Sequence, residues 1–133
     1  MSPRLTFATA RRTSRANLLG GWLDGGTFKA YTTPRPASPQ DGIGDATLLC
    51  TYTFADPAGA VANGVWSADP LPEPAVVVGD GTAVWGRAAD SGGVVIGDFD
   101  VGTTGSGAFL ELTNAALVTG FSALCTACAI TEG

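Results

Sequence analysis

The chain contains no histidine. Imidazole acid–base catalysis, histidine-activated nucleophiles and histidine metal sites are therefore excluded. Charge is also scarce. Only 14% of residues are charged, against roughly 25% in an average domain. With 45% hydrophobic residues, the composition does not fit disorder, which needs low hydrophobicity and high charge. No Gly-x-Ser-x-Gly elbow and no EF-hand loop pattern occur. No stretch approaches the roughly 18 apolar residues that span a bilayer. No apolar run of a secretory signal follows the N-terminal arginines. The three cysteines are an odd count, which makes a poor disulfide framework and suggests a reducing compartment.

What remains is a chain of 133 residues, the size of one domain. Folding at this length removes roughly two-thirds of the extended chain's surface from water, enough for a core without staples. The 19 glycines and 8 prolines, with so little charge, describe a turn-rich β domain. Such a domain hides much of its surface against other copies or a partner. Charge is split along the chain. Arg4, Arg11, Arg12 and Arg15 precede every acid, so the first fifteen residues carry +4. Beyond them Lys29, Arg35 and Arg87 face twelve carboxylates, which leaves −9. An acidic body argues against nucleic acid. A basic arm over residues 1–12 suits an acidic protein surface; the plainer reading is a solvated terminus. This acid-free, Arg/Ser/Thr-rich start also mimics an organelle transit peptide, but it leads directly into a helix.

The single domain spans 13–133. Thr9, Thr13 or Ser14 caps a helix running to about Leu23, with Leu18, Leu19, Trp22 and Leu23 as one apolar stripe. Trp22 on that stripe reads as core. Gly20 and Gly21 weaken the helix by roughly 1 kcal/mol each relative to alanine and leave room for a sheet or a second chain. Gly25 and Gly26 supply a left-handed stop. Thr27 to Thr32 is a strand with Phe28 and Ala30 on one face and Lys29 and Tyr31 on the other. Pro34, Pro36 and Pro39 then impose a long loop to about Asp45, a length usually functional or mobile. Further strands are expected at Thr47–Phe54, around Val65–Trp66, and at Val76–Val78, Thr82–Ala89, Val94–Val101, Phe109–Thr113 and Gly120–Ile130. Asp90-Ser-Gly-Gly93 marks the clearest hairpin. Seven or eight short strands behind one helix predict a mainly β fold, an antiparallel two-sheet, jelly-roll-like sandwich.

Few residues invite chemistry. Gly102-Thr-Thr-Gly105-Ser-Gly107 lacks the lysine and following helix of a phosphate loop and reads as a turn. Asp98 and Asp100 share a strand face, so a calcium ion is conceivable there; the plainer reading is a solvated polar face. A glycosidase pair would use the same carboxylates, but no sugar cleft is evident. Cys125 and Cys128 have C-x-x-C spacing, yet on a strand they point to opposite faces. Zinc would need two more ligands, so all three cysteines read as small core residues. Trp85, alternating with Val84, reads as outward-facing and as an interface candidate. No cofactor is expected.

Leu23-Asp-Gly-Gly26, Thr27-Phe-Lys-Ala-Tyr-Thr32, Pro36-Ala-Ser38 and Thr47-Leu-Leu49 together resemble a group of small structural proteins of tailed bacteriophages. In that group an N-terminal helix ends in a double glycine, and a strand, a proline–alanine loop and a strand opening with two leucines follow. The run Ala83 to Ala88, the turn Asp90 to Gly93, Gly97-Asp-Phe-Asp-Val-Gly102 and a closing hairpin around Gly120 are similar too. The chain departs at Tyr31-Thr-Thr-Pro34, where the group often has Tyr-Thr-Gly, and in its cysteines. The resemblance implies a non-enzymatic virion component, a capsid decoration or cement protein at the capsid surface, assembled in the host cytoplasm. It implies dimers or trimers seated on the major capsid protein, with no membrane and no catalytic residues. A tail or neck component is the alternative within that class, and a calcium- or sugar-binding β-sandwich module the alternative outside it. The expected partner contacts are Arg4, Arg11, Arg12 and Arg15 on the arm, then Tyr31, Pro34, Arg35, Pro36 and Trp85.

Overall fold

The computed structural model describes residues 8–62, 65–69 and 71–131. A helix, α1 (Thr9–Leu23), comes first. Twelve strands follow, several only two residues long: β1 (Thr27–Tyr31), β2 (Leu48–Thr53), β3 (Gly59–Ala62), β4 (Val65–Ala68), β5 (Ala75–Val76), β6 (Gly81–Thr82), β7 (Trp85–Ala89), β8 (Val95–Thr103), β9 (Leu110–Leu112), β10 (Ala116–Leu117), β11 (Ser122–Ala123) and β12 (Cys125–Thr131). The fold is mainly β with one helix, as the sequence predicts. Among the described residues no helix is long and apolar enough to cross a membrane.

The strand pairing is not the purely antiparallel one expected of a jelly roll. Eight strands form one sheet in the order β2-β1-β7-β8-β9-β12-β4-β3, and β10-β6 and β11-β5 are separate two-stranded ladders. The large sheet is mixed, because β8 and β9 run parallel, and it curls around the core. Parallel neighbours ordinarily need a crossover of a dozen or more residues. Here the chain returns within the short segment between Thr103 and Leu110, and Val101 aligns with Leu110. Glu111 makes this possible. Its carboxylate accepts the N–H groups of Gly105 and Gly107, each at 2.9 Å. Asp100 accepts the N–H of Phe109 at 3.1 Å. Carboxylates satisfying backbone donors stand in for ladder bonds that so tight a return cannot make.

One core fills the curl. Phe109 lies 5.0 Å from Phe28 and 4.3 Å from Phe99, ring centre to ring centre, and stacks at 6.4 Å on Trp66. The aromatic row therefore reaches from β1 to β4. Trp66, on the strand expected around Val65–Trp66, is 1% exposed. The small ladders close the side beside β2, where the Tyr52 hydroxyl donates to the Ala123 carbonyl at 2.9 Å.

The helix packs on β3, β4 and β7. Its N-cap is Ala8, without a side-chain cap bond, so none of Thr9, Thr13 and Ser14 serves as the cap. The helix also starts four residues earlier than the expected domain boundary, which puts Arg11 and Arg12 on it. The stop is as expected: Gly25 has φ +67°, and the Gly26 N–H bonds Leu23 O at 2.8 Å. The buried face is a different one. Ala16, Gly20 and Leu23 are buried, whereas Leu18 and Trp22 are 57% and 46% exposed. The reason is Trp66. A Cβ on Gly20 would lie 2.4 Å from its ring, so the indole lies against a groove of small residues and turns the larger stripe outward.

The β7–β8 hairpin forms at the expected turn, with Asp90 Oδ1 accepting the Gly92 and Val94 N–H groups at 2.9 Å. The β3–β4 hairpin, with Ala62 opposite Val65, was missed. Its signal is the Asn63-Gly64 pair between the two strands, a strong two-residue turn dipeptide.

Candidate functional site

The sites that matter are the proline loop, the outer helix face and the exposed apolar ground beside the small ladders.

The proline loop is a strap tied to the sheet. Its base is closed by Thr32 N–H to Thr47 O at 3.1 Å and Thr47 N–H to Thr32 Oγ1 at 2.9 Å. Arg87 ties its middle. The guanidinium stands directly opposite Asp98 across β7 and β8. It donates from Nε to Oδ1 at 2.7 Å and from Nη2 to Oδ2 at 3.1 Å, and from Nη1 to the Asp41 carbonyl at 2.7 Å. Arg35, from the strap itself, donates to the Asp98 carbonyl at 3.0 Å. The pair is withdrawn from water, with side chains 13% and 3% exposed for Arg87 and Asp98. The bidentate bond to Asp98 raises the Arg87 pKa further above its ordinary value, against the opposing effect of burial.

Under the strap lies a second small core of Tyr31, Ala46 and Trp85, with Ile43 and Leu48 packed on it. Neither Tyr31 nor Trp85 is presented at the surface, and the outward-facing reading of Trp85 is overturned. Tyr31 is 6% exposed and Trp85 is fully buried. Their rings stack at 4.8 Å, and Trp85 Nε1–H donates to the Thr32 carbonyl at 2.7 Å. Burial pushes the Tyr31 phenol up, and Arg87 partly offsets it. Alternation placed Tyr31 correctly on the face away from Phe28, and Trp85 stands opposite Tyr31 across β1 and β7. That face is covered because the strap folds over it, which strand periodicity does not encode. Pro34 and Arg35 are exposed and Pro36 is half-buried, so the strap's outer side remains a surface.

Of the expected arm, Arg4 lies outside the described residues. Arg11, Arg12 and Arg15 fall on α1, and Arg11 and Arg15 are exposed. The side chain of Arg12 is not among those described.

Asp98 and Asp100 do not form the solvated pair that alternation suggests. Asp98 is buried against Arg87, and Asp100 spends an oxygen on the Phe109 amide. Among the described residues, no three His, Cys, Asp or Glu side chains gather as a metal group requires. All three cysteines are buried. The reading of all three as core residues holds, although Cys125 and Cys128 are three apart on a strand, a spacing that alternates faces in a regular ladder. A register shift between Cys125 and Ala127 turns both inward. Burial pushes the Cys125 thiol up to about 11 and raises Cys50 and Cys128 as well. They are neutral core groups near pH 7, not nucleophiles.

The unusual surface is apolar. Eleven large hydrophobic side chains are exposed among the described residues. Leu18, Trp22, Val94 and Val95 line two adjoining grooves on the outer helix face and the β7–β8 turn. Val118 and Phe121 (54% and 69% exposed) line a groove beside the small ladders. Comparison with protein-family models, with curated proteins and with solved structures finds no match to this chain.

Proposed function

We propose that the chain is a non-enzymatic structural protein of a tailed-phage particle. It decorates or cements the capsid, with further copies of itself and the major capsid protein as partners. The observation that carries this reading is the exposure of large apolar side chains on two separate faces of a chain with only 14% charged residues. Exposed apolar ground of this kind is characteristic of interaction surfaces. Two faces serve a subunit that touches both its own copies and a lattice. The helix–glycine–strand–strap block supports the same reading through its resemblance to phage structural proteins. The strap's outer side, with Pro34, Arg35 and Pro36, and the basic N-terminal region supply polar contacts around the apolar ones.

The test is cosedimentation of recombinant protein with preformed heads of a tailed phage that carries this chain. Saturable binding at a fixed ratio to capsid subunits is expected, and deletion of residues 1–7 weakens it while leaving α1 whole. Unchanged binding by the truncated protein removes residues 1–7, with Arg4, from the reading and leaves the arginines of α1 as the basic contacts. Binding to tails and not to heads moves the protein to the tail or neck. No binding to any particle component refutes the proposal.

A further inference from the structure

The outer face of α1 carries a pattern that fits one partner in particular. Arg11, Arg15, Leu18 and Trp22 are spaced four, three and four apart, which places them on one seam of the helix. This seam faces away from Ala16, Gly20 and Leu23, which pack on the sheet. Its N-terminal half is basic and its C-terminal half apolar. Beyond Trp22 the seam continues onto the β7–β8 turn, where Asp90, Val94 and Val95 line the same groove as the indole. On the other side of Trp22, Arg15, Leu18 and Leu19 line the adjoining groove. The face is therefore apolar in the middle, cationic at one end and anionic at the other.

Resting on the oligomeric contacts of the reading above, we propose that this face is a two-fold interface with a second copy of the chain. A two-fold contact meets itself reversed, so it must be self-complementary. An axis near Leu18 satisfies that condition. At about 1.5 Å per residue, Arg11 lies about 10 Å to one side of Leu18, and Trp22 with its neighbour Asp90 lies about 6 Å or more to the other. Reversal then sets the arginines of each copy against the Trp22–Asp90 end of the other. Arg15 meets an indole face and Arg11 a carboxylate, while Leu18 packs on its own symmetry mate. Arginine over tryptophan gains a cation–π contact besides the apolar burial. The groove at Phe121 lacks this property, since no charged residue lines it. It is left for the capsid.

Leu18→Cys tests the geometry directly, because all three native cysteines are buried and Leu18 is 57% exposed. Under mild oxidation this variant is expected to form a disulfide-linked dimer rapidly, and Phe121→Cys is not. Sedimentation equilibrium of the wild-type protein is expected to show a dimer. Trp22→Ala should raise its dissociation constant about thirtyfold, as truncation of a central aromatic does, with an unchanged circular dichroism spectrum. Rapid crosslinking through Phe121→Cys with none through Leu18→Cys overturns the assignment, as does a wild-type monomer at all concentrations. Head binding by a monomer sinks this inference and leaves the proposed function standing. A dimer of the stated geometry that binds no particle does the reverse.

Discussion

Gly20 and Gly21 are neighbours on one helix and identical in helix propensity, yet they should respond oppositely to alanine. Propensity alone stabilises either substitution by about 1 kcal/mol. At Gly21 nothing lies within 4 Å of the added methyl group, so that gain is realised in full. At Gly20 the methyl carbon would fall 2.4 Å from Trp66 Cδ1 and 2.5 Å from Nε1. Trp66 cannot retreat easily, because it stacks on Phe109 and meets Phe54 edge-on at 6.1 Å. Overpacking a filled core costs about 1–3 kcal/mol, and so short an approach draws on the upper part of that range. Gly20→Ala is thus destabilising by about 1–2 kcal/mol net, and the two variants separate by roughly 2–3 kcal/mol. Urea unfolding at matched protein concentration, with equal m-values, reads the difference as a shift of midpoint. Equal stabilisation by both substitutions would refute the packing of α1 on Trp66. It would return the helix to the orientation in which Leu18 and Trp22 face the core.

The Arg87–Asp98 pair makes a second prediction. Arg87→Ala leaves the Asp98 carboxylate buried and uncompensated and should cost about 3–5 kcal/mol, whereas joint replacement of both residues by apolar ones should cost less than either single loss. A loss below about 1 kcal/mol, the range of exposed pairs, would show that the pair is solvated. The cysteines make a third. Their folded thiols ionise above their ordinary value of 9.0, Cys125 at about 11. The unfolded chain therefore releases protons first, and stability is full below pH 9 and declines as pH rises toward 11. Chemical denaturation across that range checks this, and a flat profile contradicts the burial of the thiols. Likewise an aromatic disulfide reagent at pH 8 should label all three cysteines only after unfolding.

Much of the local structure was legible in the sequence. The glycine stop after Leu23, the alternation of β1 and the Asp90–Gly93 turn all depend on residues within a few positions of one another. The backbone's own preferences decide them. Burial of Cys50, Cys125 and Cys128 followed from small apolar side chains without metal-ligand company. Trp85 was misjudged because its face is covered by a strap that arrives from residues 33–46. No periodicity within β7 records that cover. Asp98 was misjudged for a related reason: its partner Arg87 belongs to another strand, and register alone brings the two together.

The sequence by itself determined a mainly β chain with one leading helix, where that helix stops, and a basic start joined to an acidic body. These are properties of composition and short-range geometry. Only the tertiary structure decided which way the helix faces, and so which of its residues are available to a partner. The indole of Trp66 needs the space that Gly20 leaves, and satisfying it turns Leu18 and Trp22 to the outside. The sheet order was decided at the same level. A return as tight as that between β8 and β9 holds because Glu111 and Asp100 satisfy its backbone donors, and that return makes the sheet mixed and curled.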